Sequence, residues 1–107
     1  MVPSFKPVSP ALSGESLRHA IRDSVAKFLD LRANNLFIFG SEAGRGETSR
    51  SDIDIGIEGP QAIPATVLRQ IRDELENLRT LRTFDVVDFR RVDERFRTVA
   101  LQNVEKL

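Results

Sequence analysis

Apolar residues recur at three- and four-residue spacing from Ser16 to Arg32, at Leu17, Ile21, Val25, Phe28 and Leu29. That period predicts an amphipathic helix, and Asn34-Asn35 supplies its stop. The next run, "LFIF" (Leu36 to Phe39), is apolar at every position, as a central strand covered on both faces should be. From Asp52 to Ile57 the period changes to two, with isoleucines alternating against polar or small residues. This is the signature of a strand with two unlike faces. After the turn "EGPQAIP", Leu68, Ile71, Leu75 and Leu78 mark a second helix from Ala65 to Arg79, with charges on its other side. "TFDVVDF" (Thr83 to Phe89) reads as a third strand. From Glu94 onward, Phe96, Val99, Ala100, Val104 and Leu107 form a third helical stripe. The order helix, strand, strand, helix, strand, helix predicts an α/β fold: a small sheet with helices packed on it.

Composition narrows the function classes. A chain of 107 residues suffices for one domain with its own core and not for two. Residues 1–13, with Pro3, Pro7 and Pro10, read as a flexible arm, which leaves 14–107 as the folded unit. Lys plus Arg and Asp plus Glu both number 16, so no bulk field draws the chain to nucleic acid or to an anionic membrane. All seven aromatic residues are Phe, several inside apolar runs, which offers no stacking platform for single strands. There is no cysteine and one histidine, which excludes disulfides and any thiolate or imidazole metal cluster. The stretch "MVPSFKPVSPALSG" has no continuous apolar run and resembles neither a signal peptide nor a membrane anchor, so a cytoplasmic location is expected.

The chemistry concentrates in "FGSEAGRGETSRSDIDIGI" (residues 39–57). Asp52 and Asp54 lie two apart on a strand and therefore project from one face, together with Gly56. Adjacent carboxylates repel unless a cation lies between them or one is protonated. Oxygen ligands without His or Cys suit Mg²⁺ or Mn²⁺, which commonly share their coordination with a substrate phosphate. Ahead of them, Gly40 allows the backbone to turn and approach a ligand, and Ser41 offers a hydroxyl and an amide to a phosphate. The bland alternative is a pair of solvated acids guarding a sheet edge. A third carboxylate is available from Asp85 or Asp88. These are three apart and face opposite ways, so only one can join the site.

The joint pattern of strand, Gly40-Ser41, ten residues, then Asp52-x-Asp54 on a second strand and an acidic third strand resembles the nucleotidyltransferase superfamily related to DNA polymerase beta, in its minimal single-domain form. The resemblance spans about Leu17 to Leu107. It implies a small mixed sheet of the polymerase-beta palm type. It also implies that Gly40 and Ser41 hold a nucleoside triphosphate, and that Asp52, Asp54 and Asp85 are the catalytic, metal-binding carboxylates for Mg²⁺ (or Mn²⁺). Asp85 is favoured because the family's acid follows an apolar residue and precedes two more, as in "FDVV". Asp88 is then left to cap the strand end or to pair with Arg90 or Arg91.

The implied reaction is transfer of AMP from ATP to a hydroxyl, with Asp85 near the incoming hydroxyl. Minimal members resemble antitoxins paired with a HEPN-domain toxin, and the chain contains no Tyr, so a tyrosine acceptor lies on another protein. Where minimal members carry arginines after Gly-Ser, this chain has Glu42 and Gly44, with Arg45 and Arg50 nearby. A non-catalytic module that neutralises its partner by binding is the rival expectation, and a stand-alone enzyme acting on a small molecule is a third. His19, the mixed charges of the second helix and "FRRVDERFR" (Phe89 to Arg97) read as surface or helix-start features.

Overall fold

The computed structural model describes residues 12–40 and 52–107. Its elements are α1 (Gly14–Ala26), β1 (Asn35–Phe39), β2 (Asp52–Glu58), α2 (Ala65–Glu76), β3 (Thr83–Asp88), α3 (Glu94–Ala100) and β4 (Val104–Lys106). One four-stranded sheet has the order β3-β2-β1-β4. β1 pairs antiparallel with both β2 and β4, whereas β2 and β3 are parallel, joined through α2. The sheet is thus mixed, as the sequence led us to expect.

The period-two pattern sorts the sheet into two faces. Leu36, Ile38, Ile53, Ile55, Ile57 and Val86 turn toward α1 and α2 and are buried with Leu17, Ile21, Val25, Leu68, Ile71 and Leu75. Burial of each such side chain contributes about 1.5–3 kcal/mol. Phe37 and Phe39 project the other way and pack with Phe89 and Ala100, so the uniformly apolar "LFIF" is indeed covered on both faces. The Phe37–Phe89 and Phe39–Phe89 rings meet edge to face at 4.9 and 5.2 Å, a favourable quadrupole arrangement.

All three helices are shorter than the periodicity predicts, α2 closing at Glu76 rather than Arg79. α1 ends at Ala26 rather than Arg32, because the chain turns at Asp30: its carboxylate accepts from the Arg32 amide at 2.9 Å and its carbonyl from the Asn34 side chain at 2.9 Å. Phe28 and Leu29 still pack on the core from that turn. α3 stops at Ala100, and Val104 belongs to a strand, not to the helical stripe. The reason is the open edge of β1. β4 pairs Phe39 with Val104 and Phe37 with Lys106, and the Leu107 amide donates to the Leu36 carbonyl at 3.0 Å. Backbone groups on that edge are satisfied by the sheet in preference to one more turn of helix.

The proposed arm, residues 1–13, falls almost entirely outside the described residues. Among the described residues, no helix is long and apolar enough to cross a membrane.

Candidate active site

β2 is an interior strand, flanked by β1 and β3, so Asp52 and Asp54 do not guard a sheet edge. Asp54 lies opposite Phe39 on β1 and opposite Asp85 on β3. Asp52 lies beyond the last β1–β2 pair and opposite Thr83. Because facing residues in a ladder share a face, Asp52, Asp54 and Asp85 project together from one end of the α3 side of the sheet. Asp88 does not. It points to the opposite face and is buried, accepting from the Ile63 amide at 2.8 Å and the Arg90 amide at 2.9 Å. The Arg91 guanidinium closes an ion pair with it at 3.3 Å. Asp88 therefore both caps the strand end and pairs with an arginine.

Gly56 shares the face of the aspartates but is not part of a polar surface. A Cβ there would lie 2.3 Å from the Phe37 ring and 2.8 Å from the Phe89 ring, so the glycine marks where the aromatic cluster crosses β2. The carboxylates occupy the strip beyond that cluster. At the other end of β2, Glu58 receives the Arg97 guanidinium in a two-pronged contact at 2.9 and 3.0 Å, which anchors α3. "FRRVDERFR" is thus used structurally: Phe89 is core, Asp93 caps α3 by accepting from the Phe96 amide at 2.7 Å, and Arg97 is paired. His19 is exposed beside Glu15.

Gly40 ends β1 with a φ of +76°, a left-handed conformation that favours glycine. Its amide donates to the Asn103 carbonyl at 3.1 Å. A Cβ at Gly40 would stand 3.1 Å from Oδ2 of Asp54; the missing side chain leaves room against that carboxylate. Ser41 and the loop carrying Glu42, Gly44, Arg45 and Arg50 lie outside the described residues.

Partial burial raises the Asp54 carboxyl above the usual aspartate range, and the negative charges of Asp85 and then Asp52 push it further. A bound cation would reverse all three effects, since it favours the charged form. The donor set therefore fits a hard divalent cation: three carboxylates on one face and no lysine or arginine salt bridge to any of them among the described residues. The described carboxylates are not already gathered into a coordination sphere of three, and one oxygen of Asp52 is engaged by the Thr83 hydroxyl. A cavity of about 680 Å³ lies elsewhere, lined by Asn35, Glu58, Arg90 and Arg97 among others. Its charged groups include the internal Glu58–Arg97 pair, and none of Asp52, Asp54 and Asp85 lines it.

This strand order, with acids at one end of the β2–β3 pair beside a glycine turn, can be placed among known proteins. The family described as polymerase beta, nucleotidyltransferase matches residues 25–107. The chain belongs to that family. Among curated proteins none matches it. Solved structures do: a toxin–antitoxin MntA-HpeT carrying two aspartate-to-glutamate changes two positions apart aligns with a TM-score of 0.66 at 15% identity, over 82% of this chain and 69% of that one. A toxin–antitoxin with AMP-PNP aligns at 0.65 and 17%, over 82% and 69%. The tri-AMPylated HEPN toxin of Shewanella oneidensis in complex with its MNT antitoxin aligns at 0.58 and 17%, over 84% and 70%. At such identities the likeness is one of fold, and the fold is that of a small polymerase-beta-like nucleotidyltransferase.

The sequence had no way to single out Thr83. Its only signal is that Thr83 precedes Asp85 by two residues, as Asp52 precedes Asp54, and a parallel register was needed to bring the two pairs side by side.

Proposed function

We propose that the protein is a Mg²⁺-dependent nucleotidyltransferase that moves AMP from ATP to a hydroxyl on a partner protein, a HEPN-type toxin, and so acts as its antitoxin in the cytoplasm. One observation carries this reading: Asp54 faces Asp85 across the β2–β3 ladder with Asp52 one rung away, and Gly40 approaches the Asp54 carboxylate so closely that a Cβ there would stand 3.1 Å from Oδ2. The structural neighbours support it, since one contains an AMPylated HEPN toxin and another AMP-PNP.

Asp52, Asp54 and Asp85 would hold the cation, Mg²⁺ or Mn²⁺, which when bound neutralises charge on the entering and leaving oxygens at the α-phosphate. Gly40 lets the triphosphate approach the backbone, and Ser41 donates to it. Asp85, on the outer strand, would take the proton of the attacking hydroxyl. The new bond joins that hydroxyl oxygen to the α-phosphorus, and the bond between the α-phosphorus and the bridging oxygen breaks, releasing pyrophosphate. With no Tyr in the chain, a tyrosine acceptor belongs to the partner.

A second reading is favoured by Glu42 and Gly44, which stand where minimal family members carry arginines: the chain would neutralise its partner by complex formation alone. One experiment separates the two. The protein, the protein encoded beside it, α-labelled ATP and Mg²⁺ or Mn²⁺ are incubated together, with Asp54→Asn as control. Label on the partner that disappears with Asp54→Asn supports transfer. A tight complex with no label, unaffected by Asp54→Asn, supports binding alone.

A further inference from the structure

The parallel register of β2 and β3 makes two adjacent rungs on one face. The first pairs Asp54 with Asp85, and the second pairs Asp52 with Thr83. In the second rung the Thr83 hydroxyl donates to Oδ1 of Asp52. Both side chains are exposed, and among the described residues Asp52 is paired across the sheet with Thr83 alone.

We infer that Thr83 is a positioning residue for the metal site: its hydroxyl fixes the rotation of the Asp52 carboxylate, occupying Oδ1 and presenting Oδ2 to the cation. This inference rests on the reading of Asp52, Asp54 and Asp85 as cation ligands. The chemistry of the donor matters. A lysine or arginine at position 83 would neutralise Asp52 and compete with the cation, whereas a hydroxyl steadies the carboxylate and leaves its charge available. A hydroxyl also has one proton to give, so only one carboxylate oxygen is engaged. Threonine suits the place for a second reason, because its β-branched side chain is at ease in a strand and has restricted χ1 freedom. The rung beside it carries the ligand Asp85 two residues on, so β3 supplies both a ligand and the support of another.

The test measures cation binding directly, without nucleotide or partner. Mn²⁺ is titrated into the protein and free Mn²⁺ is read by its electron paramagnetic resonance signal, for the wild type, Thr83→Val, Thr83→Ser and Asp54→Asn, with thermal melting of each as a check on folding. Thr83→Val keeps the β-branched shape and removes the hydroxyl; a loss of Mn²⁺ affinity of about tenfold is expected, at the lower end for an outer-shell partner of a metal ligand. Thr83→Ser, which restores the hydroxyl, should bind as the wild type does. Wild-type affinity in Thr83→Val, with Asp54→Asn impaired, overturns the role of Thr83 and leaves the metal site standing. Equal losses in the Val and Ser variants also overturn it, since the methyl group and not the hydroxyl would then matter. Equal Mn²⁺ binding by the wild type and Asp54→Asn overturns the metal site itself, and the inference with it.

Discussion

Asp54 and Asp85 are direct partners across the parallel β2–β3 ladder, two like charges on the same face of neighbouring strands. Facing like charges destabilise a sheet, and here partial burial adds to the cost, lifting the Asp54 carboxyl above its ordinary range. The pair joins interior β2 to edge strand β3, and the cation proposed above would relieve its repulsion.

Replacing Asp54 with Asn removes one of these charges and keeps the shape. Without divalent cation at neutral pH, Asp54→Asn should therefore melt higher than the wild type in a thermal scan. With Mg²⁺ and ATP present it should lose at least about 100-fold in transfer, more than is usual for an outer-shell change. A variant that is both less stable and inactive would point to a structural role instead.

The two acids of β3 should separate cleanly under denaturant. Asp88 is buried and satisfies two backbone amides and Arg91. Asp88→Ala should cost about 3 kcal/mol in a urea titration, the usual penalty for orphaning such partners. Asp85 is exposed, and Asp85→Ala should lie within about 0.5 kcal/mol of the wild type or above it.

Gly56 lies beneath two aromatic rings. An added methyl would meet Phe37 and Phe89 well inside contact distance, and neither ring can retreat from a cluster packed edge to face. Gly56→Ala should lose about 1–3 kcal/mol of stability, as overpacked cores do. The near-ultraviolet circular dichroism of the phenylalanines should change with it.

Glu58 titrates below the usual glutamate range, chiefly because the Arg97 guanidinium hydrogen-bonds to it, with the positive charges of Arg97 and Arg90 adding to the effect. The folded-state value is depressed, so the folded protein binds fewer protons there than the unfolded chain. Its stabilisation is fully present above the unfolded value, near about 4.3, and fades as pH falls through the lower folded value. Melting temperatures from pH 7 to 3 should show the wild type exceeding Glu58→Gln at neutral pH. The gap should close below about pH 4. Because the pair is partly exposed, the gap should also shrink in high salt.

The amino-acid sequence by itself determined the three longer strands, the faces they present and the presence of three helices. Those follow from local period, and a side chain that alternates or recurs every three to four residues needs no distant partner to declare its face. It also determined that Asp52 and Asp54 share a side and that Asp85 and Asp88 do not, since that is a property of any strand. The tertiary structure decided what no local pattern encodes. It drew Val104 out of a helical stripe into an edge strand, because β1 had unpaired backbone groups to satisfy. It showed Gly56 to be a contact point for two rings rather than part of a polar face, because those rings come from β1 and the end of β3. It set Asp54 against Asp85 and Asp52 against Thr83, because register between strands separated by a helix is fixed by how α2 packs, through contacts distant in sequence.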